Sequence, residues 1–263
     1  MILLILILYP ISCRAQFISS GTFIAYIYGP TFFAIGADSQ RAIPGGTQLT
    51  AQDCKLVLLS DDRVFTLIGF VAFRNPQREM IFNPREIARR SANPGEKIEN
   101  IANRWGETSA RVLTDLLALN PTKDIPIQRT DLGAVTGLFA GVEDTGEISA
   151  YRVGVFKQAR EFYHQAERLE ATERLRFFNY EDLVREFVDG TTERAKAARS
   201  GIPPEGAIPM ARWSAIYIRT LVKFVIDYSG SPEVGGDPAV GILEAKKKWT
   251  WIHRPDFYDS CNE

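Results

Sequence analysis

Residues 22–37 read TFIAYIYGPTFFAIGA, two apolar runs joined at Gly29-Pro30 with almost nothing polar between them. Gly-Pro marks a turn, so Thr22–Tyr28 and Thr31–Ala37 are expected as the arms of a hairpin. A strand with one face in water alternates polar and apolar residues, and these two do not. Both faces are therefore covered, or one is covered and the other is crowded by a close neighbour. Either way the hairpin needs a layered fold around it.

The rest of the chain supplies the layers. Lys55–Leu59 and Val64–Ile68 form a second predicted hairpin across Ser60-Asp61-Asp62-Arg63. From Pro84 to Leu119 the apolar residues Ile87, Ile98, Ile101, Trp105, Val112 and Leu116 recur at helical spacing, and Pro94-Gly95 splits this stretch into two helices. Val135–Val142 and Ile148–Val155 read as strands. Lys157–Phe178 reads as a charged helix whose solvated face is stabilised by i,i+4 pairs. Tyr180–Ala198 is expected as another helix and 211–228 as a third, and strands near Ala239–Leu243 and Trp249–Ile252 close the order. Strands, helices, strands, helices, strands imply an α+β domain: two sheets face to face with helices outside both, a four-layer αββα sandwich. No linker divides the 263 residues. The expected organisation is a signal-like leader over 1–15, a propeptide-like segment over 16–21, one domain over 22–255 and a tail over 256–263.

Composition removes several function classes. A formal net charge of −1 gives no nucleic-acid footprint, and Lys246-Lys247-Lys248 reads as a solvated strand end. The two histidines, His164 and His253, lie in no ligand motif, so neither a metal nor a cofactor is expected. Three cysteines are too few for a disulfide framework, and nothing in the sequence sets the distance between Cys54 and Cys261, so a bond between them stays open. The leader MILLILILYPI is too short to span a bilayer, and Ala15 offers a cleavage site before Gln16. A secreted or periplasmic protein is the first reading. A membrane-tethered leader, or a displaced start and a cytoplasmic protein, are the alternatives, and contact with a membrane is expected only through an uncleaved leader.

Thr22 carries the most specific chemical signal. A hydroxyl is a weak nucleophile until a base takes its proton. There is no GxSxG and no Ser/His pairing here. A threonine that becomes residue one carries its own base, because its α-amine has a pKa of roughly 7.7–8.0 and is partly neutral near pH 7. A nearby lysine lowers that pKa, and an aspartate fixes the lysine in place. Gly21 before Thr22 lets the backbone bend for attack on the preceding carbonyl.

Gly21-Thr22, the strand end IGADSQ, the later hairpin TGLFAGVEDTGEISAYRV and the segment SPEVGGDPAVGIL together resemble the proteasome β-subunit family of N-terminal nucleophile hydrolases. Asp38 lies 16 residues after Thr22, as in that family; Lys55 lies 33 after it, one more than usual; Gly69 follows Lys55 by 14. The resemblance implies the family's αββα fold. It makes Thr22 the nucleophile, Lys55 the tuner of its amine, Asp38 the holder of Lys55 and the Gly69 amide the oxyanion donor. Matched on Gly235-Gly236, Ser231 stands where the family has Asp and Val234 where it has Ser. Ser231 then assists near the amine, and Asp227 supplies a carboxylate from one turn earlier. Ala42, Leu67 and Val71 would line an apolar specificity pocket.

The function implied is a threonine-type hydrolase acting on a peptide or small amide, with a second copy of the chain as the partner in a homo-oligomer. A non-catalytic scaffold or assembly subunit of the same fold, and an amidase on a non-peptide substrate, are the competing readings. On the hydrolase reading, removal of the Lys55 side chain is expected to abolish turnover with little loss of folding.

Overall fold

The computed structural model describes residues 16–20, 22–41, 51–74, 80–119, 133–231 and 234–258. It opens with β1 (Gln16–Ser20), the hairpin β2 (Ile24–Gly29) and β3 (Phe32–Ala37), and the short pair β4 (Gln40–Arg41) and β5 (Ala51–Gln52). Next come β6 (Leu56–Ser60), β7 (Arg63–Arg74), β8 (Met80–Phe82) and the helices α1 (Pro84–Ser91) and α2 (Ile98–Leu119). Strands β9 (Val135–Val142), β10 (Ile148–Gln158), β11 (Glu161–Arg168) and β12 (Leu175–Phe178) lead into α3 (Glu181–Asp189), α4 (Glu193–Arg199) and α5 (Met210–Tyr228). The strands β13 (Ala239–Glu244) and β14 (Thr250–His253) follow.

Two antiparallel sheets carry the fold. One runs β1-β7-β9-β10-β11, with β6 and β8 also on β7; the other runs β12-β2-β3-β13-β14. Three apolar cores separate the layers. Phe65, Leu67, Trp105, Leu113, Phe139 and Val153 join the first sheet to α1 and α2. Tyr26, Phe33, Ile35, Leu138, Ala150 and Leu243 fill the space between the sheets. Phe23, Ala34, Phe187, Ile218, Val222 and Val240 seat α3–α5 on the second sheet. The β2–β3 hairpin is thus covered on both faces, the first of the two arrangements its unbroken apolar run allows, and every residue of both strands is buried.

Local chemistry sets the helix ends. The Asn83 side chain accepts from the amides of Arg85 and Glu86, and Pro84 takes the first helical position of α1, where no amide is needed. The next helix starts after Pro94-Gly95, so the split read from the sequence is present. On the other side, α5 lies close against β3 because Gly36 has no side chain: a Cβ there would stand 2.6 Å from Ile218 Cγ2.

Residues 157–178 are not a helix. Strand β10 runs on to Gln158, turns through Ala159 at positive φ, and returns as β11, paired from Gln158–Glu161 to Tyr151–Arg168. The charges that suggest i,i+4 pairs follow a two-residue period instead. Phe162, His164 and Ala166 are wholly or partly buried, while Glu161, Tyr163, Gln165 and Glu167 face out. Arg152 and Glu167 form a cross-strand ion pair, and the Phe162 amide donates to Thr114 of α2 at 2.9 Å. Packing on α2 overrides a composition with high helix propensity. The helix expected over 180–198 is likewise two, broken at Gly190 with φ of +61°.

The flanks take part in the same fold. Residues 16–20 form the edge strand β1, and Tyr258 is buried in the core between the sheets.

Candidate active site

Thr22 lies where the chain passes from one sheet to the other. Ser20 ends β1 opposite Gly69 in the first sheet, and Ile24 begins β2 in the second. Strands β6 and β1 share one edge of β7, since β9 pairs along the other edge: Leu56 sits opposite Thr66, and Ser20 opposite Gly69. The start of β6 and the end of β1 therefore meet beside the crossing. Lys55 is the residue immediately before β6.

Asp38 ties these ends together. One carboxylate oxygen accepts from the Phe23 amide at 2.8 Å, and the other accepts from Lys55 Nζ at 2.7 Å. The second oxygen also takes the amides of Gly235 and Gln40, both at 3.3 Å. The Asp38 amide donates back to the Phe23 carbonyl at 3.2 Å. A single carboxylate thus fixes the backbone next to Thr22 and the lysine head. Both side chains of the ion pair have no solvent exposure, and Thr22 is fully buried. Its carbonyl accepts from Asn179 Nδ2 at 2.7 Å.

Burial dominates the electrostatics of the pair. It pushes the Asp38 carboxyl above its ordinary range, against the Lys55 charge and the Phe23 and Gly235 amides. It pulls the Lys55 ammonium down, against the attraction of Asp38. A second, partly exposed ion pair stands behind it. Arg85 grips Asp53 with two hydrogen bonds of 2.8 and 2.7 Å, and the Asp53 carbonyl accepts from the Lys55 amide at 3.1 Å. The Leu56 amide donates to the Tyr258 hydroxyl at 3.2 Å, and burial raises that phenol's pKa so that it stays neutral. Cys54, next to Lys55, is disulfide-bonded, and the other two cysteines, Cys13 and Cys261, lie outside the described residues.

The burial of Lys55 corrects one sequence expectation. Deleting the ammonium leaves a carboxylate without its counter-charge in a fully buried position, so folding cannot be indifferent to it.

Gly69 adopts φ of +92°, and a Cβ there would stand 2.6 Å from the Ala134 carbonyl oxygen. Gly69→Ala is expected to cost about 1–3 kcal/mol from backbone strain and displacement of β9, read as a lower thermal midpoint. A melting curve that matches wild type would contradict this.

Asp227, Ser231 and Leu67 are the remaining sequence candidates among the described residues. Asp227 lies on the exposed side of α5 and pairs with Lys223 one turn before it, at 3.1 Å, rather than with the Thr22–Asp38–Lys55 group. A helix face in water accounts for that pairing. Ser231 is in the turn after α5, its amide donating to Ser229 Oγ at 3.3 Å. Leu67 packs in the core under α1 and α2, on the opposite face of β7 from the inter-sheet residues Val64 and Ile68. Ala42 and the side chain of Val71 lie outside the described residues.

Gly235, Asn179, Asp53, Arg85 and Tyr258 were not singled out by sequence. Only Gly235 had a signal, through the Gly-Gly pair that set the register of its segment. No group of three His, Cys, Asp or Glu among the described residues could hold a metal ion. No helix among them is long and apolar enough to cross a membrane.

No family model matches the chain, and no curated protein matches it.

Proposed function

We propose that the chain is a threonine-type N-terminal nucleophile hydrolase of proteasome-subunit-like fold, cleaving peptide or small amide bonds after Thr22 is released as a new N-terminus. The observation that carries this is the Asp38 clamp, in which one buried carboxylate holds the Phe23 amide and the Lys55 ammonium together. A lone structural ion pair at this depth gains little over an apolar pair of the same volume. A lysine held beside the backbone of Thr22 has a use.

In the maturation step Thr22 Oγ1 attacks the Gly21 carbonyl carbon. The C–N bond breaks, an ester forms on Oγ1, and the Thr22 amine is released. Water then hydrolyses the ester and frees the preceding segment. In turnover the amine takes the hydroxyl proton as Oγ1 attacks the substrate carbonyl, and returns it to the leaving nitrogen. The acyl ester that remains is hydrolysed by water with the amine again as base. The Gly69 amide stabilises the oxyanion, a contact typically worth about 10²–10³ in rate. Lys55 lowers the amine pKa by like-charge repulsion.

Strand β1 supports the same reading. It pairs antiparallel with residues 69–74 of β7 and ends at Ser20, just short of the bond to be cut. Once it leaves, the β7 edge is open for an extended peptide to add as a strand. The disulfide at Cys54 fits an oxidising compartment, and hence an exported protein.

Hydrolysis of a short peptide amide across pH tests the base. Only the neutral amine accepts a proton, so the rate is expected to rise with pH, with an apparent pKa below the roughly 7.7–8.0 of a free α-amine. A rate that falls as pH rises, or that shows no loss on acidification down to about pH 4, would overturn the amine as base.

A further inference from the structure

Away from Thr22, the open side of the sandwich holds a second site. Strand β12 is the edge of one sheet and β11 the edge of the other. Between them lies a cavity of about 380 Å³, roofed by the crossover from β11 to β12. This is within the usual size range of small-molecule sites. Tyr26, on its lining, is four residues after Thr22, roughly 13 Å away at the rise of a strand.

Arginines crowd the mouth of this cavity, and Arg168, Arg174 and Arg176 are themselves exposed. Arg176 is directly opposite Tyr26 in the β12–β2 ladder, so the two share the inter-sheet face. Arg152 is opposite Leu138, another inter-sheet residue, and so comes from the facing sheet. Arg168 and Arg174 complete the rim. Arg152 is paired with Glu167, but Arg168, Arg174 and Arg176 make no ion pair or side-chain hydrogen bond among the described residues. Glu170 is the remaining acidic group on the lining, which leaves the cavity positive.

The two tyrosines differ. Tyr28 donates its hydroxyl to the Ile148 carbonyl at 2.5 Å and so fastens the two sheets together. Tyr26 is only 6% exposed and lines the same cavity, yet its hydroxyl has no hydrogen-bond partner among the described residues. Burial raises its pKa, so it stays an O–H donor at neutral pH. A hydroxyl donor that opens into the cavity beside guanidinium groups without an ion-pair partner is complementary to an acceptor with negative charge.

We infer that the cavity between β2–β12 and β10–β11 binds a small polyanion, whose carboxylate or phosphate groups are held by Arg168, Arg174 and Arg176 and by the Tyr26 hydroxyl. The inference is independent of the threonine chemistry. Charged residues on edge strands also protect them from unwanted pairing, a role that needs no ligand and does not call for a cavity between them.

Thermal melting and calorimetric titration of the full chain with pyrophosphate and with citrate, against sodium chloride at matched ionic strength, test it. The two anions distinguish phosphate from carboxylate preference. At least one is expected to raise the melting midpoint with concentration, beyond the chloride control. Tyr26→Phe removes only the unpartnered hydroxyl. It should melt like wild type without ligand and bind about tenfold or more weakly. Arg174→Gln with Arg176→Gln should abolish the shift while leaving peptide hydrolysis unchanged. No binding beyond chloride, or binding of wild-type strength in either variant, would overturn the inference.

Discussion

Thr22→Ala is expected to leave the polypeptide uncut ahead of residue 22 and to reduce peptide hydrolysis by about 10⁴–10⁶-fold, the range seen when a covalent nucleophile is deleted. The size of the effect follows from the doubled role of the residue. On the proposed mechanism its hydroxyl cuts the chain, and the cut creates the amine that then serves as base. Losing the hydroxyl therefore removes nucleophile and base together. Thr22 is buried where the chain crosses between sheets, so the variant should fold with only a modest loss, on the order of 1 kcal/mol. Thr22→Ser keeps the hydroxyl and should still mature, which separates the chemistry from the packing. Intact-mass measurement and hydrolysis rates on the three proteins check this. An alanine variant that is cut at the same bond, or that hydrolyses at a rate near wild type, would remove Thr22 from the mechanism.

Lys55→Met is expected to cost about 3–5 kcal/mol of stability and also to abolish hydrolysis. The buried Asp38 carboxylate loses its counter-ion and keeps only amide donors. The pH dependence gives the cause away. Burial already raises the Asp38 pKa in the presence of Lys55, and removing the ammonium takes away the two influences that lower it most. A carboxyl whose folded pKa lies above its unfolded value of about 3.9 is favourable to folding at low pH. That contribution is lost as pH rises through the folded value. The penalty in Lys55→Met should therefore be small near pH 4 and grow toward neutrality, where the wild type keeps its ion pair. Melting curves of both proteins from pH 4 to 8 read this directly. Equal midpoints throughout would mean that the pair does not hold the site.

Much of this architecture is legible in the residues because the signals are local. The hairpin at 22–37 declares a layered fold by its lack of polar positions, and Pro94-Gly95 marks the break between α1 and α2. The stretch 157–178 misleads for an equally local reason. Its Glu, Arg, Gln and Ala content favours a helix, but Phe162, His164 and Ala166 pack on α2 at every second position, a fact fixed by a helix some fifty residues earlier. The site divides in the same way. Thr22, Asp38, Lys55 and Gly69 are picked out through a family resemblance whose spacing they match, and of these the structure joins Asp38 and Lys55 directly. The residues that complete the clamp do not announce themselves. Asn179 reaches Thr22 across 157 positions, and Gly235 reaches Asp38 across 197. Asp227 is misplaced because a helix turns: counting back one turn from Ser231 reaches a residue that faces solvent and Lys223.

The most direct test is the N-terminus of the purified wild-type chain, by intact mass and terminal sequencing. A mature protein that begins at Thr22 with a free α-amine, and that hydrolyses peptides only in that form, is the expected result. A protein that hydrolyses them while residues 16–21 remain covalently joined to Thr22, or one that is never cut there, would contradict the account.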